Sequence, residues 1–200
     1  MNEQLRPRSF PAATQAAEGL PRRRWTVAEI EAMVANSIIL EDERFELIGG
    51  EVVPMSPKGN RHELVKAALQ QHWFPRVVGT PINLITETTL YVSDDEFLEP
   101  DFLFWPRAIP LASVTASSAL LIVEVADSSL GYDLGRKAGI YARLGLQELW
   151  VIDAKSLVTT IHCDPASSGY TNTHKVEPSA LLCPMQAPLL AVSLAALGLM

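Results

Sequence analysis

Residues 120–153, LLIVEVADSSLGYDLGRKAGIYARLGLQELWVID, constrain the fold more than any other stretch of this chain. A continuous apolar run carries one carboxylate, Glu124, at its far end; a loop, a helix and a second apolar run over 149–152 follow. Short apolar runs of this kind suit central strands of a sheet. In the helix between them Leu134, Ala138, Tyr141 and Ala142 share one face. Asp133 stands at the expected N-cap, and Gly145 stands where a left-handed C-cap residue belongs.

The same rules extend along the chain. Thr26 opens a helix to about residue 36, with Glu29 completing a capping box. Residues 45–48 and 51–55, joined by Gly49 and Gly50, predict a β-hairpin. Asn60 is the expected cap of a second helix, with Leu64, Val65, Ala68, Leu69 and Trp73 on its apolar face. Strands are expected over 82–92, 101–105, 120–126, 149–152 and 158–162, then loops and a short apolar strand near 189–194. This order predicts an α/β fold, a mixed sheet with helices on both faces.

Two hundred residues suit one domain, here 25–200, preceded by an arm over 1–24. The arm holds five arginines against two glutamates, with prolines at 7, 11 and 21, and reads as flexible; a phosphate-touching arm is the second reading. A net charge of −7 argues against a protein that coats nucleic acid. It leaves room for a nuclease, because a bound cation offsets clustered carboxylates. Cys163 and Cys183 have no metal-ligand spacing and read as free thiols of a cytoplasmic protein. The apolar stretch 187–200 is broken by Pro188 and Ser193 and is too short to span a bilayer, so no membrane partner is expected.

Asp101, after Pro100, and Glu124 fall at the ends of expected central strands, where an ionised side chain is costly unless paired or bound to metal. Two carboxylates on neighbouring strands can share one magnesium, which prefers hard oxygen ligands. Solvated strand ends are the alternative, and spacing alone weighs the two equally. Lys137 flanks the buried side of its helix and could steady charge on a phosphate or hold a water; a helical pair with Asp133 is the alternative. Glu46 alternates against Phe45 and Leu47, as an exposed hairpin residue by default or as a third acidic ligand. His62, in a first helical turn, reads as a surface residue within a small basic segment of Lys58, Arg61, Lys66 and Arg76 that could contact phosphate. Asp127, Ser128 and Ser129 form the loop after Glu124. GxSxG, Walker, HExxH and GxGxxG patterns are absent.

The segments FELIGGEVVPMSP, NRHELV, EPDFLFWP and LIVEVADSSLGYDLGRKAGIYARLGLQELWVID, in this order within residues 25–195, resemble the putative restriction endonuclease family of the PD-(D/E)XK nuclease superfamily. The resemblance implies a restriction-endonuclease-like α/β/α sandwich with an N-terminal helix and β-hairpin. It implies a magnesium-dependent endonuclease, with manganese able to substitute, and catalytic residues Glu46, Asp101, Glu124 and Lys137. The metal would be held by Asp101, Glu124, Glu46 and the Val125 carbonyl. The usual lysine two residues after the second acid is here Ala126, and the resemblance implies that Lys137 supplies the ammonium instead.

The expected partner is nucleic acid, DNA first, and the expected assembly is a homodimer with the apolar C-terminal stretch contributing an interface. An inactive nuclease fold serving as a binding or assembly module is the alternative. Asp101→Asn is expected to abolish cleavage and to leave the melting temperature unchanged or higher, by removing a repelling carboxylate.

Overall fold

The computed structural model describes residues 22–40, 42–55 and 57–199. Most of the arm expected over 1–24 therefore lies outside the described residues. Arg23 and Arg24 are docked: the Arg23 guanidinium sits 3.8 Å over the Trp25 ring, and Arg24 donates to the Gly49 carbonyl at 2.8 Å.

The first helix, α1 (Val27–Ala35), starts on the expected capping box, Thr26 accepting from the Glu29 amide. The expected hairpin follows as β1 (Phe45–Ile48) and β2 (Glu51–Pro54). With β4 (Leu90–Ser93) and β5 (Glu96–Leu98) it forms an antiparallel sheet in the order β2-β1-β5-β4. A second sheet, in the order β10-β9-β8-β7-β6-β3, carries the core. Its members are β3 (Ile82–Thr86), β6 (Phe102–Pro106), β7 (Leu121–Ala126), β8 (Glu148–Asp153), β9 (Thr159–Ala166) and β10 (Gly169–Val176). It is mixed, as expected, because β7 and β8 run parallel while the other neighbours are antiparallel. A parallel pair needs a crossover. Here that is α3 (Leu130–Tyr132), a π-helical segment (Asp133–Lys137) and α4 (Ala138–Arg143).

Every residue of β7 is buried, and its alternation feeds two cores. Leu121, Val123 and Val125 face α2 (Asn60–Val77), which lays Val65, Leu69, Trp73 and Val77 against the sheet at four-residue spacing. The Trp73 ring stands edge-on to Phe102 and Phe104, at 5.1 Å from each, and its N–H donates to the Leu190 carbonyl at 2.8 Å. Ile122 and Ala126 face Ala138, Ile140 and Tyr141 of the crossover. Helices thus cover both faces.

Several boundaries differ from expectation, each for a local reason. The strand expected over 82–92 is two strands in different sheets, because Glu87 takes a left-handed turn (φ 55°) between them. Gly59, not Asn60, is the N-cap of α2, and Leu64 of the expected apolar face is 64% exposed. The crossover helix begins at Leu130, so Asp133 is internal and does not cap. β10 gave no apolar alternation because it is a largely exposed edge strand rich in polar residues. Residues 188–190 and 194–197 form 3₁₀ turns where a strand was expected. Leu190, Val192 and Leu194 of that stretch are buried in the chain's own core rather than presented to a second copy. Cys163 is buried, Cys183 is exposed, and both are free.

Candidate active site

The two sheets are joined by residues 99–101, which run from β5 directly into β6. This short link brings three acids together. Asp101 precedes β6 and accepts from the Val125 amide of β7 through Oδ2 at 2.8 Å. Glu46, inside β1, accepts from the Glu99 amide through Oε1 at 3.1 Å. Glu124 lies within β7, on the face turned to the crossover helix, where the Tyr141 hydroxyl donates to its Oε1 at 2.7 Å. The exposed-hairpin reading of Glu46 is therefore overturned, since the residue is 2% exposed, and solvated strand ends do not describe Asp101 or Glu124.

Lys137 comes from behind β7. The Lys137 Nζ lies 2.9 Å from Glu46 Oε1 and 2.9 Å from Glu124 Oε1, with a longer contact of 3.4 Å to the Glu99 carbonyl. The helical pair with Asp133 is not what it makes. The π-helical segment ends at Lys137, and segments of this type widen one turn and often mark functional positions. Asp133 is buried beside the cluster and accepts from the Ser129 hydroxyl at 2.5 Å. The Tyr132 hydroxyl donates to Glu46 Oε2 at 3.0 Å.

Sequence reasoning missed His62. It is buried rather than on the surface, with Nε2 at 3.0 Å from Asp101 Oδ1 and Nδ1 at 3.0 Å from Glu63 Oε1. A signal was present: 62, 65, 69 and 73 continue one helical stripe, so His62 extends the face that Val65 begins. Of its basic segment, Lys66 pairs with Glu63 and Glu87, Lys58 pairs with Glu87, and Arg76 is exposed and donates to the His72 carbonyl. Tyr132 and Tyr141 were also missed, because their role depends on which way the crossover helix turns.

The electrostatics follow from burial. Burial, together with Asp101, Asp133 and Glu46 nearby, pushes the Glu124 carboxyl up to about 8 although Lys137 opposes it. Burial likewise raises Asp133. Burial would lower the Lys137 ammonium, but Glu124, Glu46 and Asp133 hold it well above the usual lysine range. Burial acts to raise Asp101 too, yet the hydrogen bonds from His62 and the Val125 amide hold it below the ordinary value. The Asp101 carboxylate is thus paired with donors and not only repelled by its acidic neighbours.

These residues line a cleft of about 310 Å³, with Arg44, Lys58, Gly59, Asp127, Ser128 and Ser129 at its walls. Glu46, Asp101, Glu124 and Asp133 meet one lysine and one histidine there, so buried acids outnumber buried bases. Their oxygens are hard donors, and the Val125 backbone borders Asp101 through its amide. In chemistry and charge the set suits a divalent cation such as magnesium. Among the described residues no three His, Cys, Asp or Glu side chains already converge on one point. Lys137 stands between Glu46 and Glu124, and His62 holds Asp101 Oδ1. Both contacts would have to adjust around an ion.

A family model described as Uma2, putative restriction endonuclease, matches residues 28–195. No curated protein matches the sequence. Among solved structures, one described as a putative nuclease belonging to DUF820 from Anabaena variabilis is similar with a TM-score of 0.64 at 15% identity, over 86% of this chain and 96% of that one. That likeness shows the fold, which is restriction-endonuclease-like. No helix among the described residues is long and apolar enough to cross a membrane.

Proposed function

Because the chain belongs to the putative restriction endonuclease family, Uma2, we propose that it is a metal-dependent nuclease that hydrolyses phosphodiester bonds in DNA. One observation carries this reading: a buried lysine bridges two buried glutamates, Glu46 and Glu124, at 2.9 Å each, beside a third acid at the start of a strand. Asp101, Glu124, Glu46 and the Val125 carbonyl would hold magnesium or manganese. The cation, when bound, neutralises charge on the phosphodiester and makes water easier to ionise.

The chain's own residues do the rest. Lys137 uses two donors on glutamates, and its third makes only the 3.4 Å contact to the Glu99 carbonyl. That third donor can turn to the attacking water and orient it toward phosphorus. Tyr141 fixes the Glu124 carboxylate, and Tyr132 fixes Glu46. His62 keeps Asp101 ionised and aimed at the Val125 edge. Attack forms a bond from the water oxygen to phosphorus and breaks the bond to one ester oxygen, which leaves as an alcohol with the proton that the water gives up.

An inactive binding module is the second reading, favoured by the contacts that already engage Asp101 and Lys137. Calorimetry with magnesium and manganese separates the two, comparing wild type with the Asp101→Asn, Glu124→Gln double variant, alongside a cleavage assay on DNA. Heat of binding and cleavage that both vanish in the variant uphold the nuclease. A wild type that binds neither metal nor cleaves DNA in its presence leaves the module.

A further inference from the structure

The cleft that would admit a phosphodiester is acidic at its floor, and a polyanion needs cations at its walls to enter it. Among the described residues three lysines or arginines line it: Lys137, Arg44 and Lys58. Lys137 spends two of its donors on Glu46 and Glu124 at the floor, and its third is the one assigned to the attacking water. Arg44 and Lys58 are different. Arg44 meets one carboxylate, Glu99, at 3.0 Å, and Lys58 meets one, Glu87, among the described residues. A guanidinium has five N–H donors and an ammonium three, so both keep donors free.

We propose that Lys58 and Arg44 form a phosphate-holding lip, which takes the backbone phosphates of a nucleic acid strand as it enters the cleft. This rests on the nuclease reading above and names the residues that admit its substrate.

Four features support a lip that is built rather than incidental. Lys58 is a lysine with only 18% of its side chain exposed, crowded by the like charges of Arg44 and Lys66. An anion between Lys58 and Arg44 relieves that crowding. Glu87, which bridges Lys58 and Lys66, does so from a left-handed backbone turn that a glutamate rarely adopts. The loop that carries Lys58 is clamped across the cleft: a Cβ at Gly59 would stand 2.2 Å from Asp127 Oδ2, so the two walls touch there through a hydrogen-only side chain. Next to Lys58 the first turn of α2 has no side-chain cap, which adds amide donors to the same wall.

The test compares wild type with Lys58→Met, Arg44→Met and Lys58→Arg. Methionine keeps the apolar stem of each side chain and removes its charge. The probe is a short DNA oligonucleotide, bound with calcium in place of magnesium and titrated across salt concentrations. Each methionine variant should weaken binding about tenfold and reduce the slope of log affinity against log salt by about one, while Lys58→Arg keeps both. In magnesium the KM should rise with kcat within about twofold, and the heat of magnesium binding should stay at the wild-type value. Unchanged affinity and slope would overturn the lip, and cleavage by the wild type would then leave the nuclease standing. A wild type that binds the oligonucleotide without cleaving it, and loses it in the variants, would uphold the lip and remove the nuclease. A wild type that binds no DNA would overturn both.

Discussion

The His62 Nε2 lies 3.0 Å from Asp101 Oδ1, joining the first turn of α2 to the acid that opens β6. The other oxygen of Asp101 takes the Val125 amide, so the two donors fix the carboxylate's rotation as well as its charge. A group that orients a metal-binding carboxylate is worth about 10–100-fold in metal affinity or activity. His62→Ala should therefore raise the magnesium concentration needed for half-maximal cleavage by that factor. His62→Gln, which can still donate, should recover part of it. A magnesium dependence identical to wild type in His62→Ala would show that the contact does not serve the site.

Stability against pH should carry the signature of the buried acids. The Glu124 carboxyl is pushed from 4.5 up to about 8 by burial and neighbouring acids. A raised carboxyl contributes stability that is complete below 4.5 and is lost as pH climbs through 8. Asp101 works the other way: held low, it contributes above the ordinary aspartate value of 3.8 and loses that contribution as pH falls through its folded value. Urea melts in a chelator should thus show lower stability at about pH 9 than at about pH 5.5, by on the order of 3 kcal/mol. Glu124→Gln should flatten the alkaline limb. Magnesium should stabilise the wild type more at the higher pH, where the carboxylate is charged and free to bind. An alkaline limb that survives in Glu124→Gln would assign the effect elsewhere.

How much of this was legible in the sequence depends on how local each signal is. The capping box at Thr26, the Gly-Gly hairpin, the apolar run of β7 and the left-handed Gly145 are short-range signals, and each stands where expected. β10 is polar and exposed because it is an edge, and an edge strand has no buried face to announce it. The grouping of Glu46, Asp101, Glu124 and Lys137 came from resemblance to a family. Spacing alone left their roles open, since carboxylates 46 and 124 meet only through the link at 99–101 and a π-helical turn. Neither of those has a compositional mark. His62 is legible from its phase on the apolar stripe of α2, whereas its first-turn position alone points to the surface.

The closure of the C-terminal segment over α2 predicts a stability effect remote from the cleft. Trp73 is fully buried, edge-on to Phe102 and Phe104, and its N–H satisfies the Leu190 carbonyl. Trp73→Phe keeps most of the ring and strands that carbonyl, at about 1–3 kcal/mol. Trp73→Ala also opens a cavity and should cost about 3–5 kcal/mol. Denaturant melts measure both. Because Trp73 lines the face of the sheet opposite Glu124, the folded Trp73→Phe protein should keep wild-type kcat/KM. A large drop in kcat/KM with the fold intact would mean that the two faces are coupled.

Gly59 and Asp127 offer a double-mutant cycle across the mouth of the cleft. The glycine has an ordinary backbone (φ −76°), so alanine there carries no conformational strain; the only obstacle is the Asp127 carboxylate, 2.2 Å from the added Cβ. Asp127 also reaches Lys155 at 3.4 Å, and the end of its side chain can rotate away. Gly59→Ala should therefore cost at most about 1–3 kcal/mol, the range for overpacking. It should also weaken activity by displacing the Lys58 loop. Asp127→Ala alone removes an exposed-partner ion pair and should change stability by under about 1 kcal/mol. In the double variant the clash is gone, so stability should return to within about 0.5 kcal/mol of Asp127→Ala. Purely additive losses in the cycle would show that the two walls do not touch at this point.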